Sequence, residues 1–307
     1  MNTKMFEDWN VQLAKTYKPG MIKENTWFSI SQKINGTRAT FFAGKLISRT
    51  GHEFLGLEHI TNELQTIITE VFDGHNHVFD GELRLAPQYC QYITDNDAFR
   101  IGNGIANTQK TRINKNKLIF IIFDLIDSHW FIDDACWQSY KHRLEKLNYL
   151  REYTQAYCNF VQIVPIMYAG QDINQIEIQS ETAYHLGYEG IMINLDRMYE
   201  YKRSSGLLKY KKFNTIDLKI IGFQEGTGKY EDMLGAFICD YKGNTLFVGS
   251  GMNDDLRYHA WHHKEDYFGK IIEVKYKDIS HNKETGMESL QFPIFLQVRT
   301  DKTEADV

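Results

Sequence analysis

The chain has 307 residues, 42% hydrophobic and 24% charged, a balance that gives a globular protein with room for two domains and excludes a disordered or fibrous one. A net charge of -5 argues against a large nonspecific nucleic-acid binder, and no window approaches the roughly 18 uncharged apolar residues of a membrane span. The start has no apolar core suited to secretion, and the four cysteines form no C-x-x-C pair, so zinc and disulfides are not suggested and a reducing cytoplasm is the simplest setting.

In chain order, residues 1–20 read as a short helix ending at Pro19-Gly20. Residues 26–49 read as two strands around a turn at Asn35-Gly36, followed by a connection near Ala43-Gly44. Over 58–72, Ile60, Leu64, Ile67, Ile68 and Val71 recur with helical spacing. "HVFDGELRL" is a short strand holding an acid pair, and "KLIFIIFDLID" is a continuous apolar run, hence a buried strand. "DACWQSYKHRLEKLNYLREYTQ" reads as a helix, "FVQIVPIMYA" as a strand, and "IEIQSETAYHLGYEGIMINLD" as a helix leading to a strand from Gly190. From 216 on, five short strands between Gly and Asn turns, with a helix around "DDLRYHAWHHKEDY", give the pattern of a small Greek-key barrel of the oligonucleotide-binding (OB) type. The domain boundary is expected near Thr215, giving domains 1–215 and 216–307.

Four charged islands lie on or beside apolar strands: Lys33/Asn35/Arg38, Asp80/Glu82, Glu189 and Lys209/Lys211. Each alone has a plain reading as a solvated turn or an outer strand face. A strand sends residues i and i+2 to one side, so Asp80 and Glu82 share a face, as do Lys209 and Lys211. Lys33 and Asn35 do so if their strand runs to the turn. Such lysines and carboxylates in one groove suit a triphosphate and its magnesium. A lysine among other cations gives up its proton more readily, and the neutral amine is a nucleophile.

At this point the order of motifs resembles the covalent nucleotidyltransferases, and within them the ATP-dependent DNA ligases. "KINGTR" resembles their motif I, K-x-D-G followed by an Arg, and "SRTG" looks like the next motif. "FDGEL" (79–83), "FDL" (123–125), "EGIMI" (189–193), "LLKYKKF" (207–213) and "FPIFLQVRTDK" (292–302) are similar to those that follow. A lone K-x-x-G is weak, but these motifs in order along nearly the whole chain are specific. The size resembles the minimal ligases of phages and viruses.

The resemblance implies an α+β fold: a nucleotidyltransferase (adenylation) domain of antiparallel sheets and helices, then a small OB-fold barrel. It implies that Lys33 attacks the α-phosphorus of ATP and carries AMP, with Asn35, Lys209 and Lys211 also at the chemistry. ATP would be held by Gln32, Arg38, Glu82, Phe123, Glu189, Lys209, Lys211, Arg299, Asp301 and Lys302. Phe123 would stack on adenine, and Arg299, Asp301 and Lys302 would orient pyrophosphate. Arg38 and Arg49 would grip the 5′-phosphate of a nick. Glu82 and Glu189 would sit at Mg²⁺, which Mn²⁺ could replace. The implied partner is nicked duplex DNA, met by a monomer in the cytoplasm, with no membrane and no protein partner inferred.

Two departures qualify this. Asn35 stands where the family usually has Asp; it keeps the shape and one acceptor but loses the charge. Ile294 and Gln297 stand where ligases often have basic residues. Asn35 keeps open an RNA ligase of the same superfamily, and a noncatalytic nick-binding relative is the alternative from another class. Short connections at 224–233 and 240–245 leave little room for a long inserted latch around DNA, so weak, salt-sensitive nick binding is expected.

Overall fold

The computed structural model describes residues 9–108, 113–132, 136–211, 214–276, 279–281 and 287–307. The chain divides into two compact units at 212/213, just before a strand that begins at Asn214 and runs through Thr215. In the first unit the elements begin β1 (Leu13–Thr16), β2 (Phe28–Gln32), β3 (Thr37–Phe42), β4 (Lys45–Ser48), α1 (Glu58–Glu70), β5 (His77–Leu85), α2 (Asp95–Asn107) and β6 (Leu118–Asp127). They continue with α3 (Ser128–Ile132), α4 (Tyr140–Tyr157), β7 (Val161–Ile163), β8 (Ile166–Gly170), α5 (Gln175–His185), β9 (Ile191–Leu195) and β10 (Arg203–Tyr210).

Two five-stranded sheets result, with strand orders β1-β10-β9-β2-β8 and β4-β3-β5-β6-β7. Most neighbours are antiparallel; β1/β10 and β6/β7 are parallel. On the first sheet Phe28, Ile30, Ile191, Ile193 and Leu208 pack with Ile176 and Ala183 of α5. On the second, Phe79, Phe120 and Ile122 pack with Ile60, Leu64 and Ile67 of α1 and Leu144 and Leu147 of α4. Each Leu, Ile or Phe buried there contributes roughly 1.5–3 kcal/mol. Period-2 alternation then turns Ser31, Met192, Asn194 and Lys209 of one sheet, and Asp80 and Glu82 of the other, to a shared cleft.

Three expectations are corrected. Residues 13–16 are a strand, not part of a helix, because pairing with β10 in the register Leu13↔Arg203 outweighs local propensity; residues 1–8 of that reading lie outside the described residues. Strands β2 and β3 are not a hairpin but belong to different sheets. A two-residue Asn-Gly hairpin needs positive φ at both positions, and neither Asn35 nor Gly36 has it; Ala43 (φ 49°) and Gly44 (φ 79°) do, and they join β3 to β4. "FVQIVPIMYA" is two strands, split before Pro165, which cannot donate to a ladder: β7 joins one sheet and β8 the other. The helix read from 134 begins at Tyr140 after Ser139, with 133–135 outside the described residues.

The second unit contains β11 (Asn214–Glu225), β12 (Leu234–Tyr241), β13 (Asn244–Val248), α6 (Asp254–His262), β14 (Ile271–Tyr276), β15 (Ile279–His281), β16 (Glu288–Leu290) and β17 (Ile294–Arg299). The main sheet has the order β13-β12-β11-β14-β17 with antiparallel neighbours, and a parallel bridge between Ser250 and Ile294 links the chain after β13 to β17, giving the small barrel expected. Buried Arg257 of α6 donates to the carbonyls of Leu234, Gly235 and Gly249, which pins the helix to the barrel. The β12–β13 link is two residues, Lys242 and Gly243, both at positive φ.

Candidate active site

The cleft between the two sheets of the first unit has a volume of about 600 Å³. Gln32, Lys33, Arg38, Arg49, Glu82, Phe123 and Lys209 all line it, so seven of the expected residues are brought together. Lys33 follows the last residue of β2, where the chain leaves one sheet for the other, and its backbone N–H donates to Gly190 O at 2.9 Å. Lys33 Nζ donates to one oxygen of Glu189 and Lys211 Nζ to the other. Burial raises the Glu189 pKa, but Lys33 and Lys211 outweigh it and hold the carboxyl below its usual range. Gly190 at φ 147° is required here, since a Cβ would meet Tyr210 O at 2.4 Å.

On β5, Asp80 and Glu82 face the cleft while Gly81 faces the core. A Cβ on Gly81 would lie 2.5 Å from Ile121 O and 2.7 Å from the Phe120 ring. Asp80 is fully buried and takes Arg38 at both oxygens, 2.9 and 2.5 Å, with Tyr199 Oη donating at 2.7 Å. The Arg38 guanidinium also lies 5.1 Å from the Phe123 ring centroid, a cation–π contact. Arg38 is therefore held as a cation in a bidentate ion pair with Asp80 at the cleft. Arg49 is exposed on the loop after β4.

Glu82 differs from Asp80. Its Oε2 is shut off from solvent and has no hydrogen-bond partner among the described residues. Burial pushes its pKa up to about 8, against the pull of Arg38 and Lys33. A carboxyl so placed fits a group that brings positive charge or a donor. No cluster of three His, Cys, Asp or Glu able to hold a metal ion occurs among the described residues. Mg²⁺ does not need one, since it takes one or two carboxylates and completes its shell with waters and substrate phosphates. Glu82 has an oxygen without a partner for that role, whereas both oxygens of Glu189 are taken by Lys33 and Lys211.

Asn35 does not line the cleft. Its strand ends at Gln32, so it does not share a face with Lys33; it is buried and its amide donates to Asp95 at 2.8 Å. In the second unit, Arg299 pairs with Asp217 at 2.9 Å and with Asp301 at 2.7 Å, and Lys302 with Asp217 at 2.5 Å. The hydrogen bond from Arg299 holds the Asp301 carboxyl down at about 2.

The sequence reading missed α2, whose Phe99, Asn103 and Asn107 form a wall of the cleft. Its signal was legible: Thr94 with Asp97 is a capping pair, and the hydroxyl accepts from Asp97 N at 3.1 Å. Also missed was the buried Arg143–Asp124 pair behind Phe123, 2.7 and 2.9 Å.

A family model described as an ATP dependent DNA ligase domain matches residues 11–211, and one described as a DNA ligase OB-like domain matches 225–299. The chain is 24% identical to the DNA ligase of Enterobacteria phage T4, over 96% of this chain and 69% of that protein. It is also 24% identical to the DNA ligase of Haemophilus influenzae, over 90% of this chain and 89% of the relative. Among solved structures, a Lig E DNA ligase superposes with a TM-score of 0.64 at 23% identity, covering 94% of this chain and 99% of that one, a likeness of fold.

Proposed function

This chain belongs to the ATP-dependent DNA ligase family and is a ligase of that type, and we propose that Lys33 is the residue through which it seals 5′-phosphate/3′-hydroxyl nicks in duplex DNA. The observation that supports this is the shared carboxylate of Glu189, with Lys33 on one oxygen and Lys211 on the other; of these three residues Lys33 lines the cleft, which is of nucleotide size.

Lys33 must lose a proton before it attacks. Glu189 is the group in contact with it, and it is a poor acceptor while both lysines hold it. When Lys211 turns to the α-phosphate, Glu189 loses one partner and becomes more basic. The Lys33 nitrogen then forms a bond to the α-phosphorus, the bond to the bridging oxygen breaks, and pyrophosphate leaves. Lys209 and Lys211 offset charge on the nonbridging oxygens. Adenine stacks on Phe123, Gln32 lines the nucleotide pocket, and Glu82 holds ribose or metal. Bound Mg²⁺ supplies charge neutralisation on the phosphates. In the second step a 5′-phosphate oxygen of the nick takes AMP from Lys33, with Arg38 and Arg49 on that phosphate. In the third, the 3′-hydroxyl attacks the 5′-phosphorus and AMP departs. Arg299, Asp301 and Lys302 act on the pyrophosphate.

Domains 1–215 and 216–307 divide these tasks. The protein works as a monomer in a reducing cytoplasm, a setting consistent with the free thiols of Cys90, Cys136, Cys158 and Cys239. The test is sealing of a 5′-phosphorylated nick with ATP and Mg²⁺, beside matched nicks with RNA on either side. Sealing of the all-DNA nick, lost in Lys33→Ala, is the expected result. Sealing only with RNA strands would reassign the substrate, and no AMP on the protein would leave it a binding relative.

A further inference from the structure

Asn35 is 8% exposed and its Nδ2 donates to Asp95 Oδ2 at 2.8 Å. Asp95 is the first residue of α2, and its other oxygen takes Arg84 Nη2 at 2.8 Å. Two residues beyond Asn35, Thr37 Oγ1 donates to Asn103 Oδ1 at 2.9 Å. Asp95, Phe99, Asn103 and Asn107 recur every fourth residue and so share one face of the helix, and the last three line the cleft. The loop that carries Lys33 is thus tied to the cleft wall at two points. A carboxylate at position 35 would stand at hydrogen-bonding distance from the Asp95 carboxylate. Like charges that close oppose each other strongly, and Arg84 is already engaged on the far oxygen.

We propose that Asn35 and Asp95 are a charge-matched pair that positions the Lys33 loop against α2, so that the negative charge usual at position 35 of motif I resides at position 95. Asn35 is then a positioning residue for adenylation of Lys33, an inference that rests on Lys33 being the nucleophile. The exchange closes geometrically. An amide at position 95 keeps an oxygen for Arg84 and turns its NH₂ to a carboxylate at position 35.

The experiment measures single-turnover uptake of AMP on Lys33, by mass, with ATP and Mg²⁺. Asn35→Asp, Asp95→Ala and the double exchange Asn35→Asp/Asp95→Asn are compared with the parent, each first shown folded by thermal melting. Asn35→Asp slows uptake about tenfold or more, the half-saturating ATP concentration moves by less than about threefold, and the double exchange returns the rate to within about threefold of the parent. Asp95→Ala, which removes the bond without adding charge, also slows uptake and decides the matter if Asn35→Asp does not fold. Uptake at the parent rate in Asp95→Ala or Asn35→Asp, or a double exchange no faster than Asn35→Asp, overturns the proposal. Failure of the parent to take up AMP would instead be a failure of the ligase reading.

Discussion

Lys33 and Glu189 form an ion pair that brings together the end of one strand and the start of another, 156 residues apart in sequence. Lys211 shares the same carboxylate. Glu189→Gln removes the proton acceptor and loosens both lysines. The expected result is loss of AMP uptake by about 10²-fold or more, measured in a single turnover, with sealing of a pre-adenylated nick less affected.

Glu82 makes stability depend on pH. Its carboxyl titrates near 8 in the folded chain and near 4.5 when unfolded, so the folded state binds the extra proton between those values. Its contribution is full below about 4.5 and is lost as pH rises through about 8, at no more than about 1.4 kcal/mol per unit. Denaturant melts at pH 5 and 8 are expected to show a larger loss in the parent than in Glu82→Gln. Equal losses would rule this out.

Gly81 faces a backbone carbonyl and an aromatic ring that leave no space for a methyl group. Gly81→Ala is expected to cost about 1–3 kcal/mol by overpacking and to lower sealing, because Asp80 and Glu82 flank it. Chemical denaturation checks the first and nick sealing the second. A variant as stable as the parent would mean that β5 and β6 can separate without penalty.

The Asp124–Arg143 pair is buried on both sides. Arg143→Met leaves the Asp124 carboxyl without its partner, and a loss of about 3–5 kcal/mol is expected in denaturant melts. Asp124→Asn/Arg143→Met should recover part of it.

The links on either side of β12 are eight and two residues long, so neither holds a long insert to pass around DNA. If about six phosphates are contacted, nick affinity should fall about 10³-fold between 50 and 200 mM salt. A footprint that encircles the duplex, or binding indifferent to salt, would refute this.

Sequence by itself determined the charged islands, the motif order and most regular elements. Continuous apolar runs and 3.6-residue spacing write β6 and α1 into the chain locally, and Asp80-Gly81-Glu82 carries its own alternation. The capping pair before α2 was equally legible and simply not read. Only the tertiary structure decided that the chain changes sheets at Lys33–Gly36 and again at Val164-Pro165, since local pattern says nothing about which neighbour a strand will pair with. For the same reason the strand at Leu13–Thr16 was hidden: its ladder is with β10, far along the chain. Asp95, the partner of Asn35, is 60 residues away, and Glu189, the partner of Lys33, is 156 residues away. Hydrogen bonds and ion pairs depend on distance in space, and that distance exists only once both sheets have packed.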